Sequence, residues 1–187
     1  MDRNALRCRK EHWIYRCTSV TAHHTGDVEQ TLETTEVTME YTQGTLGRVF
    51  VGRLQDGEPI YESILSIAEK EGLKSAAVYV VGGIRSGTVV TGPEDPNDKV
   101  VPRTVQFDDA REIVGFGTIF PLDGKPSLHL HAGIGNEDRT LIACPRIAAN
   151  VYLVLEIVII EMLGINASRE YDPRFDVHVL SLAARAG

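Results

Sequence analysis

Residues 127–164 read SLHLHAGIGNEDRTLIACPRIAANVYLVLEIVIIEMLG, and the order of residues within them decides both the fold class and the candidate site. Two histidines stand one residue apart, a cysteine follows thirteen positions after the second, and the longest apolar stretch of the chain comes next. Successive side chains of a strand alternate faces, so His129 and His131 point the same way and Leu130 the other. Residues 131–135 and 140–144 form the arms of a strand-loop-strand unit with the polar turn NEDR between them, which returns Cys144 toward the histidines. Two imidazoles and a thiolate suit zinc, which takes nitrogen and sulfur ligands tetrahedrally and keeps a fourth position for water, a carboxylate or a neighbouring subunit. A plainer reading competes with this one. His-Leu-His also suits a half-exposed strand whose histidines only hydrogen-bond, and a lone cysteine is often a small buried hydrophobe. The added cysteine favours His129, His131 and Cys144 as metal ligands.

The apolar run at 151–163 is rich in β-branched residues, which favours a strand over a helix. On a strand Leu155, Ile157, Ile159 and Glu161 share one face, while Val154, Glu156, Val158 and Ile160 share the other. Glu156, read as enclosed by apolar neighbours, then needs a partner such as Arg146 or Arg85, or a role beside the metal as ligand or base. The run is too short to cross a bilayer and carries a charge.

Working outward, 125–135 is preceded by a strand at 111–121 and the turn Asp123-Gly124. Further upstream, strands are expected at 48–54, 75–84, 86–91 and 100–107. Gly82-Gly83 marks a bulge or a close approach of two backbones. Apolar positions Ile60, Ile64, Leu65, Ile67 and Ala68 recur at helical spacing between Pro59 and Gly72, so 59–71 is the clearest helix. A last strand is expected at 175–182, where His178 reads as a core or edge histidine. Many strands and few helices imply an α+β fold, a mainly antiparallel sheet with flanking helices.

Residues 1–40 are charged at the start, then rich in Thr, Ser, His and Glu without an apolar period, and read as a solvated tail or an upstream extension with Met39 as the natural start. Cys8, Cys17, His23 and His24 match no familiar finger spacing. The 187 residues, 43% hydrophobic, suffice for one core. A net charge of -7 argues against a surface that tracks a phosphate backbone. Three cysteines without a CxxC pair fit a reducing compartment, and the charged start has no apolar leader region, so a soluble cytoplasmic protein is expected.

Other chemistry is sparse. Arg85, in GGIRSG at a strand end, suits a grip on a carboxylate or phosphate. The glycines around it do not form a phosphate loop or a GxGxxG site, and no GxSxG is present.

Taken in order, GRVFVGRL, a helix, AAVYVVGGIRSGTVVTGPEDP, EIVGFGTIFPLDGKPSLHLHAGIG and LIACPRIAANVYLVLEIVIIEMLG resemble the plant-and-prokaryote-conserved (PPC) domain, in its stand-alone prokaryotic form. The similarity runs over about 47–182, and the whole PPC-like domain is expected over 41–187. Its most specific parts are G-x-P-x-L-H-L-H-A and E-I-V-I-I-E-x-L-G. The resemblance implies a homotrimer, and it places family metal-associated histidines at His129 and His131. Many members carry a third histidine in Gly-Gly-His, where this chain has Ala143-Cys144-Pro145-Arg146. In plants the DNA contact belongs to an AT-hook with an Arg-Gly-Arg-Pro core, a tetrapeptide absent here. The resemblance therefore points to a homotrimeric zinc-binding module with a DNA-associated or regulatory role through protein partners. The alternative is a zinc-dependent hydrolase or lyase acting on a small anion, with Glu156 and Arg85 as catalytic candidates.

Overall fold

The computed structural model describes residues 5–11, 14–20, 39–137 and 139–182; for 5–11 and 14–20 only the strands are described. Two compact units are distinguished. The first, built from 1–44, 164–166 and 182–187, contains an antiparallel sheet of β1 (Ala5–Glu11), β2 (Ile14–Val20) and β3 (Met39–Thr42) in sequence order. Two strands thus lie inside the segment read as a tail, and their register sets Cys8 opposite Cys17. His23 and His24 lie outside the described residues.

The second unit, 45–163 with 167–181, holds the site. Its main sheet comprises β4 (Thr45–Gln55), β5 (Ala76–Pro93), β6 (Pro102–Phe107), β7 (Arg111–Leu122), β8 (Lys125–Asn136) and β9 (Arg139–Leu163), in the order β4-β9-β8-β7-β5-β6. β9 also pairs with β5, so β5, β7, β8 and β9 close a ring. A hairpin of β10 (Ala167–Asp172) and β11 (Val177–Leu182) makes a second, two-stranded sheet.

β9 has 25 residues, where two separate strands were expected. Pro145 lacks an N–H for the ladder, yet the chain does not turn there. It skips from Cys144 opposite Val90 to Ala148 opposite Thr88, absorbing the break as an irregularity in register. β5 likewise runs through Arg85 by a register shift between Ile84 and Ser86. The expected close approach at Gly82-Gly83 is present: a Cβ on Gly82, whose φ is +150°, would stand 2.3 Å from the Val154 carbonyl oxygen. On Gly83 it would stand 2.5 Å from that of Tyr152.

Among the described residues there is one helix, α1 (Ile60–Glu71), so the domain is mainly β and the expectation of flanking helices is corrected. The reason is the length of β5 and β9, which take up sequence that short strands would have left to other elements. α1 starts after Pro59 and ends at Gly72, which is left-handed, with φ 65°. Its buried Ile60, Ile64 and Ala68 join one cluster with Leu128, Leu130, Ala132 and Ile134 of β8 and with Leu155, Ile157 and Ile159 of β9. No helix among the described residues is long and apolar enough to cross a membrane.

Candidate functional site

β8 alternates as its sequence dictates. Leu128, Leu130, Ala132 and Ile134 are buried, and His129 and His131 are exposed on the opposite face. On β7, Thr118 stands opposite His129 and Phe116 opposite His131. The two rings meet edge to face with centroids 4.8 Å apart, and their Nε2 atoms are 3.0 Å apart. Two nitrogens on one tetrahedral zinc, each at about 2.0–2.1 Å, would be about 3.3 Å apart, so the pair fits two ligand positions with little movement. The same spacing also suits an N–H···N hydrogen bond between neutral rings.

Cys144 is placed differently. Ala143 pairs with Ala132, so a continued ladder would set Cys144 opposite His131, on the same face. Instead β9 leaves β8 there, Cys144 pairs with Val90 of β5, and its side chain is buried at 4% exposure. Among the described residues no three His, Cys, Asp or Glu side chains form a group that could hold a metal ion. Burial pushes the Cys144 thiol up, opposed by backbone hydrogen bonds from Arg146 and Leu130. Leu130 lies between the two histidines in sequence, and Cys144 shares a cavity with His129.

That cavity, about 750 Å³, has Tyr61, Thr118, His129, Cys144, Arg146 and Arg169 in its lining. They come from five elements: α1, β7, β8, β9, which supplies both Cys144 and Arg146, and β10. The Tyr61 hydroxyl donates to the Leu128 carbonyl, and burial raises its pKa. His129 is held below its ordinary value, first by partial burial, then by His131, Arg169 and Arg146. A lowered imidazole keeps its lone pair available near neutral pH, as a metal ligand requires.

The two catalytic candidates lie outside this lining. Glu156 is exposed, because the period-two alternation that buries Leu155 and Ile157 turns it outward, opposite Arg53 and Val81. The expectation that it is enclosed is corrected. Arg85 pairs with Asp56 at 2.8 and 2.9 Å and lies over the Tyr152 ring, while Asp56 also accepts from the Leu153 N–H at 2.9 Å. Leu153 has a positive φ of 60°, so this network braces an irregular stretch of β9. His178 meets the Tyr171 ring edge to face and also lines the cavity. Sequence reasoning passed over Tyr61, Thr118 and Arg169. Each lies in an ordinary amphipathic segment, and only the chain's path brings them to His129.

Beyond His131 the outer face is apolar. The cross-strand row Val51, Val158, Tyr79, Phe116, His131 runs over β4, β9, β5, β7 and β8. Val81 and Val114 are paired in the next row. Val51, Tyr79, Val81, Val114 and Phe116 are all large and exposed.

Comparison with known proteins agrees with this architecture. A metal-containing protein from Archaeoglobus fulgidus superposes with a TM-score of 0.68 at 21% identity, covering 76% of this chain and 99% of that one. A plant- and prokaryote-conserved protein from Pyrococcus horikoshii gives 0.66 at 22%, covering 78% and 99%. A candidate DNA-binding protein from Bacteroides thetaiotaomicron gives 0.62 at 19%, covering 74% and 97%. No curated protein matches the chain. The model of the Plants and Prokaryotes Conserved (PCC) domain matches residues 41–163, well over half the sequence, and the chain belongs to that family.

Proposed function

We propose that this chain is a zinc-binding module that works as a homotrimer, with His129 and His131 as the first two ligands and Cys144 as the third. The observation that carries the metal reading is the 3.0 Å separation of the two Nε2 atoms on the outer face of β8. Cys144 reaches the ion only by a shift of its side chain, since it now lies buried beside His129 in the shared cavity. Zinc would offset the cost of ionising a thiol in that setting. The metal-containing description of the Archaeoglobus neighbour supports the same reading.

Assembly is supported by the outer apolar face, where Val51, Tyr79, Val81, Val114 and Phe116 are exposed among the described residues. Exposed apolar surface of this continuity marks an interaction site, and closed symmetry lets copies cover it. A role at DNA, raised by the Bacteroides neighbour, would run through protein partners. The net charge of -7 disfavours direct phosphate tracking.

Elemental analysis tests the site. The purified protein should carry near-stoichiometric zinc, the His129→Ala/His131→Ala double variant should lose it, and Cys144→Ser should bind it about 10–100-fold more weakly, the scale of a damaged ligand set. Zinc retained by the double variant would refute the assignment.

A further inference from the structure

We propose that the cavity beside His129 binds a small organic monocarboxylate, gripped by Arg146 and Arg169 with its short apolar tail against the β11 end. The arginines carry the argument. Arg48, Arg85, Arg111 and Arg174 each pair with a carboxylate of their own chain. Among the described residues Arg146 and Arg169 make no ion pair, and both line the cavity.

Arg169 directs one terminal nitrogen at Thr118, 3.3 Å from its carbonyl oxygen and 3.2 Å from Oγ1. Its Nε is buried without a hydrogen-bond partner. A guanidinium donor left without an acceptor is costly, and a carboxylate is the planar acceptor that matches a guanidinium. Arg146 is exposed and lines the same cavity as Arg169, so the two guanidiniums bear on the same volume.

The surroundings leave that charge standing. One carboxylate, Asp176, lines the cavity against the two guanidiniums and accepts from the Tyr171 hydroxyl at 2.5 Å, so positive charge stays in excess. The result is an electropositive recess in a chain of net charge -7, which concentrates anions. Leu122, Leu128, Val177, Val179 and Leu180 supply apolar wall, so an anion with an alkyl tail fits the lining better than a fully polar one. None of these residues except His129 and Cys144 belongs to the zinc reading, and the carboxylate site stands or falls apart from it.

Calorimetric titration of the full chain with sodium butyrate at fixed ionic strength, once after EDTA treatment and once zinc-loaded, tests the proposal. Saturable binding is expected in both forms, weakened at least tenfold in Arg146→Gln and in Arg169→Met, with inorganic phosphate weaker than butyrate and n-butanol inert. Arg146 is exposed and unpaired, so its variant remains informative if Arg169→Met does not fold. Absence of saturation by butyrate, an affinity indifferent to Arg146→Gln, or binding that appears only with zinc would each overturn the arginine site. Phosphate binding as tightly as butyrate would overturn the assignment of the tail. Zinc content, measured on the same samples, reports the metal site separately.

Discussion

The two faces of β9 are built from neighbouring residues of one apolar run, yet they meet different surroundings. Leu155, Ile157 and Ile159 are at most 1% exposed and join the cluster that holds Ile60, Ile64 and Ala68 of α1. One residue out of phase, Glu156 and Val158 share the outer face with exposed Tyr79, Val81 and Phe116. Hydrophobicity alone does not separate the two faces; the cover does. The inner face has a helix whose 3.6-residue period presents Ile60, Ile64 and Ala68 to it. On the outer face no described residue of the chain covers Tyr79, Val81 and Phe116, which are exposed. An apolar face with a cover is a core, and one without it is a contact surface waiting for another molecule.

The largest effect expected from this contrast is on the inner face. Ile157→Ala should lower unfolding stability by about 2–5 kcal/mol, the range for removing a buried aliphatic side chain and leaving a cavity. Urea denaturation of the variant and the parent measures it. A loss below about 1 kcal/mol would mean that the inner face is loosely packed and that the contrast with the outer face is weaker than drawn.

Next comes the outer face. Val114 is 65% exposed, so Val114→Glu should leave the unfolding free energy in dilute solution within about 0.5 kcal/mol of the parent. The same change should abolish self-association, because a carboxylate in the middle of an apolar contact has no partner there. Sedimentation across a concentration series reads both species. A variant that still sediments as the parent does would remove this face from the interface.

The same contrast explains what was legible in the sequence. Period-two alternation separated the two faces of the 151–163 strand and put His129 and His131 on one face of theirs, because alternation is a local property of a strand, and the glycine pair itself marked Gly82-Gly83 as a bulge or a close approach. The helix at 59–71 was equally plain from its spacing and its bounding Pro59 and Gly72. What local pattern does not carry is where a strand changes partner. Cys144 was expected to return opposite the histidines, but β9 passes from β8 to β5 at Ala143, and the cysteine goes inward with it. Glu156 was read as enclosed because its neighbours are apolar on both sides in sequence, whereas they lie on both faces in space. Arg169 offered no signal: its guanidinium meets Thr118 across 51 positions of sequence.

The smallest effect lies where the inner face reaches its edge. Glu161 continues the phase of Ile157 and Ile159 but is charged, and Arg48 closes over it. Arg48 Nε donates to Oε2 at 2.8 Å, its NH2 to Oε1 at 3.0 Å, and the same NH2 to the carbonyl of Glu71 at the end of α1 at 3.0 Å. On the outer face Arg53 stands opposite Glu156, with no ion pair between them among the described residues. The hydrogen bonds from Arg48 hold the Glu161 carboxyl down at about 2, from an ordinary 4.5. A carboxyl more acidic in the folded state contributes stability that is complete above its unfolded value and is lost as pH falls through the folded one. The stability difference between the parent and Glu161→Gln should therefore be flat from neutral pH to just above 4.5 and shrink between there and about 2. Acid titrations of unfolding for the parent and Glu161→Gln decide the matter: a difference that stays constant down to about pH 2 would place the Glu161 carboxylate in a solvated setting and erase the distinction between the faces at this edge.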